Sequence, residues 1–259
     1  MVAAARPAPP FEAPGFDSAT AAAFFSRSGS RAGRGLPCSG WHATILAQMT
    51  SSIRKFWQDL EAKVHPQDEP VLASRQHTFN LDYPPPAFIG DVDNAPVVIL
   101  MLNGGYGSDT GSSEFPTPAD MREHVQWLKG EQKEPPRRLS SYYTTKDYYK
   151  WVLAGDAVVV NACAYRSRKL TKERHNQKIA EHLPSVKAHR DWLKNEVLPA
   201  AKSGSRLIAV HRWSLWDFAP KVVLPATNVH YSSCPRSQNL DCQTQSSIAA
   251  FLRARSRHT

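Results

Sequence analysis

Cysteine is scarce in this chain. Its 259 residues include four, Cys38, Cys163, Cys234 and Cys242. None forms a C-x-x-C pair or stands near histidines at zinc-finger spacing, so the count points to a reducing compartment and to no structural metal. Long apolar runs are absent too: none reaches the ~18 residues of a membrane span. There is no P-loop and no G-x-S-x-G nucleophile elbow. Gly105-x-Gly107-x-x-x-Gly111 misses the dinucleotide-binding spacing by one residue, and no acidic residue ends a second strand about 20 residues on. Nucleotide hydrolysis on a P-loop, serine-hydrolase chemistry and dinucleotide binding therefore fall away.

Acidic residues are nearly missing from the first 48 positions, which hold only Glu12 and Asp17. That segment is rich in Ala, Pro, Gly, Ser and Arg and has no sustained period, the composition of a disordered lead. Its Arg- and Ser-rich character also fits an organelle transit peptide. Met49-Thr50-Ser51-Ser52 before Ile53-Arg54-Lys55-Phe56-Trp57 looks like a natural start, which favours an upstream extension assigned in error. Residues 49–259 form the expected domain, placed in the cytoplasm.

What the chain does have is positive charge, +9 in all, and 41% apolar residues, enough to bury a core. The charge favours a polyanionic partner, although solubility alone also produces it. Pro96 to Leu102 is an unbroken apolar run that ends in Asn103-Gly104-Gly105-Tyr106-Gly107, the pattern of a buried parallel strand closed by a tight loop. Ala157 to Val160, closed by Asn161, repeats it. Leu207 to Val210 and the stretch near Thr227 to His230 supply two more strands. Helices are expected over 52–64, from Thr117 through Leu128, over 142–153, 184–201 and 246–255. Strand and helix alternate, which specifies a three-layer α/β/α domain around a mostly parallel four-stranded sheet.

Ligands of open α/β sheets sit outside the carboxyl ends of the strands. Three polar clusters fall there: Asn103 with its glycines, Asn161, and the segment from His230 to Leu240. Each has a plainer reading. Asn-Gly is a common turn signal, and an Asn at a strand end also caps a following helix. The basic run Arg166, Arg168, Lys169, Lys172, Arg174 also reads as a solvated face. His211-Arg212-Trp213 at the end of the third strand reads as a site or as a partly exposed loop.

Taken in order, the three clusters resemble the uracil-DNA glycosylase superfamily. Asn103 and Gly105 match the first motif of its single-strand-selective branch, G-x-N-P-G, whose Gly and Pro are absent here. Val158-Val159-Val160-Asn161-Ala162 matches the strand that ends in the family's uracil-reading Asn. Ser232-Ser233-Cys234-Pro235-Arg236-Ser237 keeps the second Pro and the Arg of the closing H-P-S-P-R-N loop. The resemblance spans most of residues 85–245.

It implies a metal-free and cofactor-free DNA glycosylase acting in base excision repair. Asn103 would hold the attacking water, and Asn161 would donate to O4 of uracil and accept from N3–H, a pattern cytosine reverses. Gly104 and Gly105 would let the backbone approach the base, with Tyr106 or Phe115 stacking on it. Pro235, Arg236, Ser237 and Gln238, with Arg166, Arg168 and Lys169, would contact DNA, and Leu240 would be a wedge. Some members carry a four-cysteine iron–sulfur cluster; the placement of Cys38 and Cys163 speaks against one. One departure stands out. Ser232 falls where active members have a His that stabilises the departing base, and His230 lies two residues earlier. Losing such a donor typically costs ~10²–10³ in rate. The alternative is therefore a weak or inactive nucleic-acid-binding module on the same fold, with a hydrolase of free nucleosides as a third possibility.

Overall fold

A computed structural model describes residues 50–107, 110–217 and 228–257. The readings placed on residues 1–48, Cys38 among them, lie outside the described residues. Five segments, the three central ones rich in apolar residues, pair into one sheet: β1 (Phe88–Ile89), β2 (Val97–Asn103), β3 (Ala157–Cys163), β4 (Leu207–Val210) and β5 (Val229–Tyr231). Their order is β1-β3-β2-β4-β5, parallel throughout except for β1. Every residue of β3 and β4, and every residue of β2 but Asn103, is buried. Alternate side chains of a strand point to opposite faces, so both faces of this sheet are covered.

The expected four strands are the parallel ones; β1 is an addition. It lies antiparallel to β3, with Phe88 opposite Val160 and Ile89 opposite Val159. Two residues between a proline triplet and a glycine carry no periodic signal. Gly90 closes this edge at φ +111°, and a Cβ there would stand 2.6 Å from the Ala157 carbonyl oxygen. The chain needs glycine at that turn.

The helices are α1 (Ser52–Trp57), α2 (Glu69–Ala73), α3 (Thr110–Ser113), α4 (Pro118–Lys129), α5 (Ser141–Thr144), α6 (Tyr149–Leu153), α7 (Arg174–Ala180), α8 (Pro184–Trp192), α9 (Leu198–Lys202) and α10 (Cys242–Arg255). Ser51 caps α1 by accepting from the Arg54 N–H. α1 stops at Trp57, not 64, because His65 folds back: its ring stacks on Phe56 and donates to the Phe56 carbonyl. α4 begins with a capping box between Thr117 and Asp120 and ends at Gly130 in the left-handed region, as helix chemistry favours. The expected helix over 142–153 is two short ones, α5 and α6. Between them the Thr145 hydroxyl shares the Ser141 carbonyl with its own N–H and competes for that acceptor. From 184 onward the helix passes through a π-turn, Leu193–Val197. Pro199 has no N–H and its ring would crowd the Asn195 carbonyl, and the wider turn absorbs both. Asp241 starts α10 four residues early by accepting from the Thr244 N–H. Among the described residues no helix is long and apolar enough to cross a membrane.

Candidate functional site

The four parallel strands end on one edge of the sheet. There β2 delivers Asn103, β3 delivers Asn161, β4 leads into His211 and Arg212, and β5 leads into Ser232. In β2 and β3, Met101 pairs with Asn161 and Asn103 with Cys163. Paired residues of parallel strands share a face, so Asn103 and Asn161 lie on the same face, one step apart along neighbouring strands.

Asn161 is fully buried. Its Nδ2 donates to the Pro86 carbonyl at 2.6 Å and to the Tyr143 hydroxyl at 2.8 Å, while its Oδ1 is buried without a partner among the described residues. The backbone around it is fixed from two sides. Its N–H donates to the Ala87 carbonyl, and its own carbonyl accepts from His189 Nδ1 at 2.7 Å. Trp57 Nε1–H in turn donates to His189 Nε2 at 2.8 Å, which sets His189 as the neutral Nδ1–H tautomer. α1 and α8 thus clamp the end of β3.

Asn103 is half-buried. Its Nδ2 donates to the Gly104 and Ser167 carbonyls at 3.0 and 3.2 Å, and the Ser167 N–H returns a bond to the Gly104 carbonyl. These bonds staple the loop after β2 to the loop after β3. Asn103 Oδ1 is left without a hydrogen bond among the described residues.

The glycines have a reason that the sequence did not show. A Cβ on Gly104 would stand 2.4 Å from Pro86 Cγ and 3.1 Å from the Tyr143 hydroxyl, and one on Gly105 would stand 3.3 Å from the Tyr142 ring. They make room for the chain's own proline and tyrosines. Gly104→Ala is expected to destabilise the fold by about 1–3 kcal/mol through overpacking, seen as a lower denaturation midpoint with an unchanged slope.

Several expectations are corrected here. Phe115 is only 3% exposed, stacks on Tyr83 and is approached by Arg166 and His124; it packs inside and offers no open platform. Arg166 is not on the surface track. Its guanidinium is fully buried and pairs with Glu114 at 2.9 Å. Ser232 is buried and donates to the Asp241 carboxylate, so it serves the cap of α10. His230 is half-buried on β5, with β4 between it and the strand of Asn103. Strand spacing puts it roughly 10 Å to the side of β2. Leu240 is buried, not a projecting wedge.

The other expected contacts lie at the surface. Arg168, Lys169, Arg236, Ser237 and Gln238 are exposed and Pro235 and Tyr106 half-buried, and the Arg168 guanidinium lies 5.5 Å over the Tyr106 ring. Ser237 donates no side-chain bond to the sheet, but its carbonyl accepts from His211 Nε2 and from Arg212, tying the terminal loop to the end of β4. Lys146 reaches Gln238 at 2.8 Å and lies over the Tyr142 ring.

Sequence reasoning missed Tyr142, Tyr143 and Lys146 and left His211-Arg212 open. His211 is buried, and because its Nε2–H is used on Ser237, its Nδ1 is an acceptor without a partner among the described residues. Among the described residues no group of three or more His, Cys, Asp or Glu side chains is placed to hold a metal. A cavity of about 560 Å³ among Arg54, Gly90, Asp91, Trp127 and Tyr149 lies at the opposite, amino edge and is lined by none of the candidate site residues.

Burial holds the His124 and His189 imidazoles low, at about 3 and about 4. Both are neutral when folded and would charge near pH 6.5 when unfolded. The stability they supply is therefore complete above pH 6.5 and lost as pH falls. Buried Glu114 and Asp68, whose carboxyls are raised, act in the opposite direction, so the clean comparison is between variants. His124→Phe keeps the ring against Phe115 and Trp127 but removes the titration. Between pH 7 and 4.5 it should lose about 2–3 kcal/mol less stability than the wild type, by denaturant titration at each pH. Equal losses would show that His124 is not the buried neutral group described.

Compared with protein-family models, with curated proteins and with solved structures, the chain matches none.

Proposed function

We propose that this chain is a DNA glycosylase that hydrolyses the N-glycosidic bond of uracil or a related damaged base. One observation carries the reading. Two amide side chains stand on one face of the sheet at the carboxyl ends of neighbouring strands. Each has its nitrogen engaged by the chain and its oxygen left over. The Asn161 oxygen suits the N3–H of a base taken out of the stack. The Asn103 oxygen suits a water, which it orients but does not deprotonate.

The step balances simply. The bond from the sugar C1′ to the base nitrogen breaks, and its electron pair leaves with the base. The water oxygen bonds to C1′ and its proton passes to solvent. Because Asn161 Oδ1 has no exposure, a base reaches it only after a covering segment moves. The loop from Gly104 to Gly107 carries one large side chain, Tyr106, and lies against both Nδ2 partners of Asn161. It is the candidate cover, and its movement would break the bonds that Asn103 and Ser167 make to the Gly104 carbonyl. Exposed Arg168, Lys169 and Arg236 would face the phosphates.

A specific observation favours the second reading, a nucleic-acid-binding module without chemistry. Ser232, where a leaving-group donor would be needed, is committed to Asp241. A gel assay separates the two. A labelled oligonucleotide with one uracil, single-stranded or opposite G, is incubated and then cleaved with alkali. The glycosylase reading expects strand breaks with wild type and none above background with Asn103→Ala. Salt-dependent binding without breaks would establish the binding module instead.

A further inference from the structure

The base-reading group described above cannot be the Asn161 amide alone. Reading uracil takes one donor for O4 and one acceptor for N3–H. Both Nδ2 hydrogens of Asn161 are already used, on the Pro86 carbonyl and on the Tyr143 hydroxyl. Rotating the amide would set Oδ1 against the Pro86 carbonyl, two acceptors at 2.6 Å, so its orientation is fixed. Asn161 then offers an acceptor and no donor.

Tyr143 supplies what is missing. Its oxygen accepts from Asn161, and its own O–H has no acceptor among the described residues. The ring is fully buried on α5, where the Ser140 carbonyl holds the Tyr143 N–H at 2.9 Å. Gly104 leaves room for the hydroxyl, 3.1 Å from where a Cβ would be. Burial pushes the phenol above its ordinary value, so it remains a donor at any working pH.

We propose that Tyr143 is a specificity-determining residue: its hydroxyl donates to the base carbonyl while Asn161 Oδ1 accepts the neighbouring N–H. The proposal rests on the glycosylase reading of the site. It makes base recognition a composite of α5 and β3, and it assigns to Tyr143 the discrimination against cytosine at the exocyclic position. Cytosine would bring an amine to a hydroxyl already aimed as a donor and a bare ring nitrogen to an unpartnered oxygen.

The test is a cycle of two changes read by binding. Single-stranded oligonucleotides carry one 2′-fluorinated deoxyuridine, its 4-thio analogue, or the matching deoxycytidine. The fluorine destabilises the oxocarbenium-like transition state, so affinity is measured without cleavage. Sulfur at position 4 is a poor acceptor. Wild type should bind uracil ~10-fold more tightly than 4-thiouracil, the size of one buried hydrogen bond. In Tyr143→Phe, which keeps the ring, uracil affinity should fall about tenfold and the 4-thio penalty should nearly vanish, a non-additive cycle. A penalty of equal size in Tyr143→Phe would overturn the proposal and leave the site's reading intact. Failure of the wild type to prefer uracil over cytosine would overturn both. Thermal unfolding checks the variant's fold. Should it not fold, wild type with a fluorine ortho to the Tyr143 hydroxyl, a stronger donor of nearly the same size, takes its place. It should tighten uracil binding and leave 4-thiouracil binding unchanged, and tightening of both or neither would count against the hydroxyl.

Discussion

Arg166→Ala is expected to destabilise the protein by about 3–5 kcal/mol, the cost of leaving one charge of a buried pair behind. Arg166 and Glu114 are both without exposure, joined at 2.9 Å, and Glu114 Oε2 and Arg166 Nε have no further partner among the described residues. With the Arg166 guanidinium removed, the Glu114 carboxylate would stay buried with no counter-charge. Its carboxyl is already raised by burial and held down chiefly by Arg166, so it would then take up a proton. The double variant Arg166→Met with Glu114→Leu removes both charges at similar volume and should recover most of the loss. Arg168→Ala, by contrast, should change stability by less than about 0.5 kcal/mol and reduce the salt dependence of DNA binding by about one phosphate contact. Denaturant unfolding of the three proteins decides it. A small effect at Arg166, with a large one on DNA affinity, would return that residue to the surface track.

Asn161→Ala is expected to abolish preference for uracil and to lower cleavage by ~10²–10³, the usual cost of losing one fixed polar group at the reacting centre. Its structural effect should be smaller. The substitution strands the Pro86 carbonyl and removes a bond to Tyr143, together worth about 1–3 kcal/mol. It also deletes an oxygen that is buried and unpartnered, which offsets part of that. The clamp from Trp57 through His189 ends on the backbone carbonyl of residue 161, not on its side chain, so it survives the change. A variant that remains folded but has lost uracil preference is the signature of a reading group. One that unfolds outright, with preference intact in whatever folds, would make Asn161 a core residue only.

Most of the sheet was legible in the sequence because β2 and β3 are apolar runs rich in β-branched residues up to their asparagines, and a run of that kind has few other places to go. The two residues of β1 were not, since pairing with Val159 and Val160 is decided by chain some 70 residues away. The same distance in sequence hid the inside of the site. Pro86 and Tyr143 converge on Asn161 from 75 and 18 residues away, and Glu114 meets Arg166 across 52. A run of basic residues reports charge and not burial, so Arg166 read like Arg168. Phe115 had the right distance from the glycine loop to be a stacking ring, but Tyr83 already occupies it. Ser232 lay in a motif-like segment, and only the start of α10 at Asp241 shows where its hydroxyl goes. The glycines were expected to admit a base; what lies against them is the chain's own Pro86, Tyr142 and Tyr143.

The most direct measurement is a single-turnover incubation of excess protein with a single-stranded oligonucleotide carrying one uracil, followed by determination of the oligonucleotide's mass. The expected product has lost uracil and gained a hydroxyl at C1′, formed by wild type, not above background by Asn103→Ala, and ~10²–10³-fold more slowly by Asn161→Ala. The same strand with cytosine should be unchanged. An intact uracil strand with wild-type protein, under conditions where it is bound, would contradict the account and leave the carboxyl edge as a binding surface.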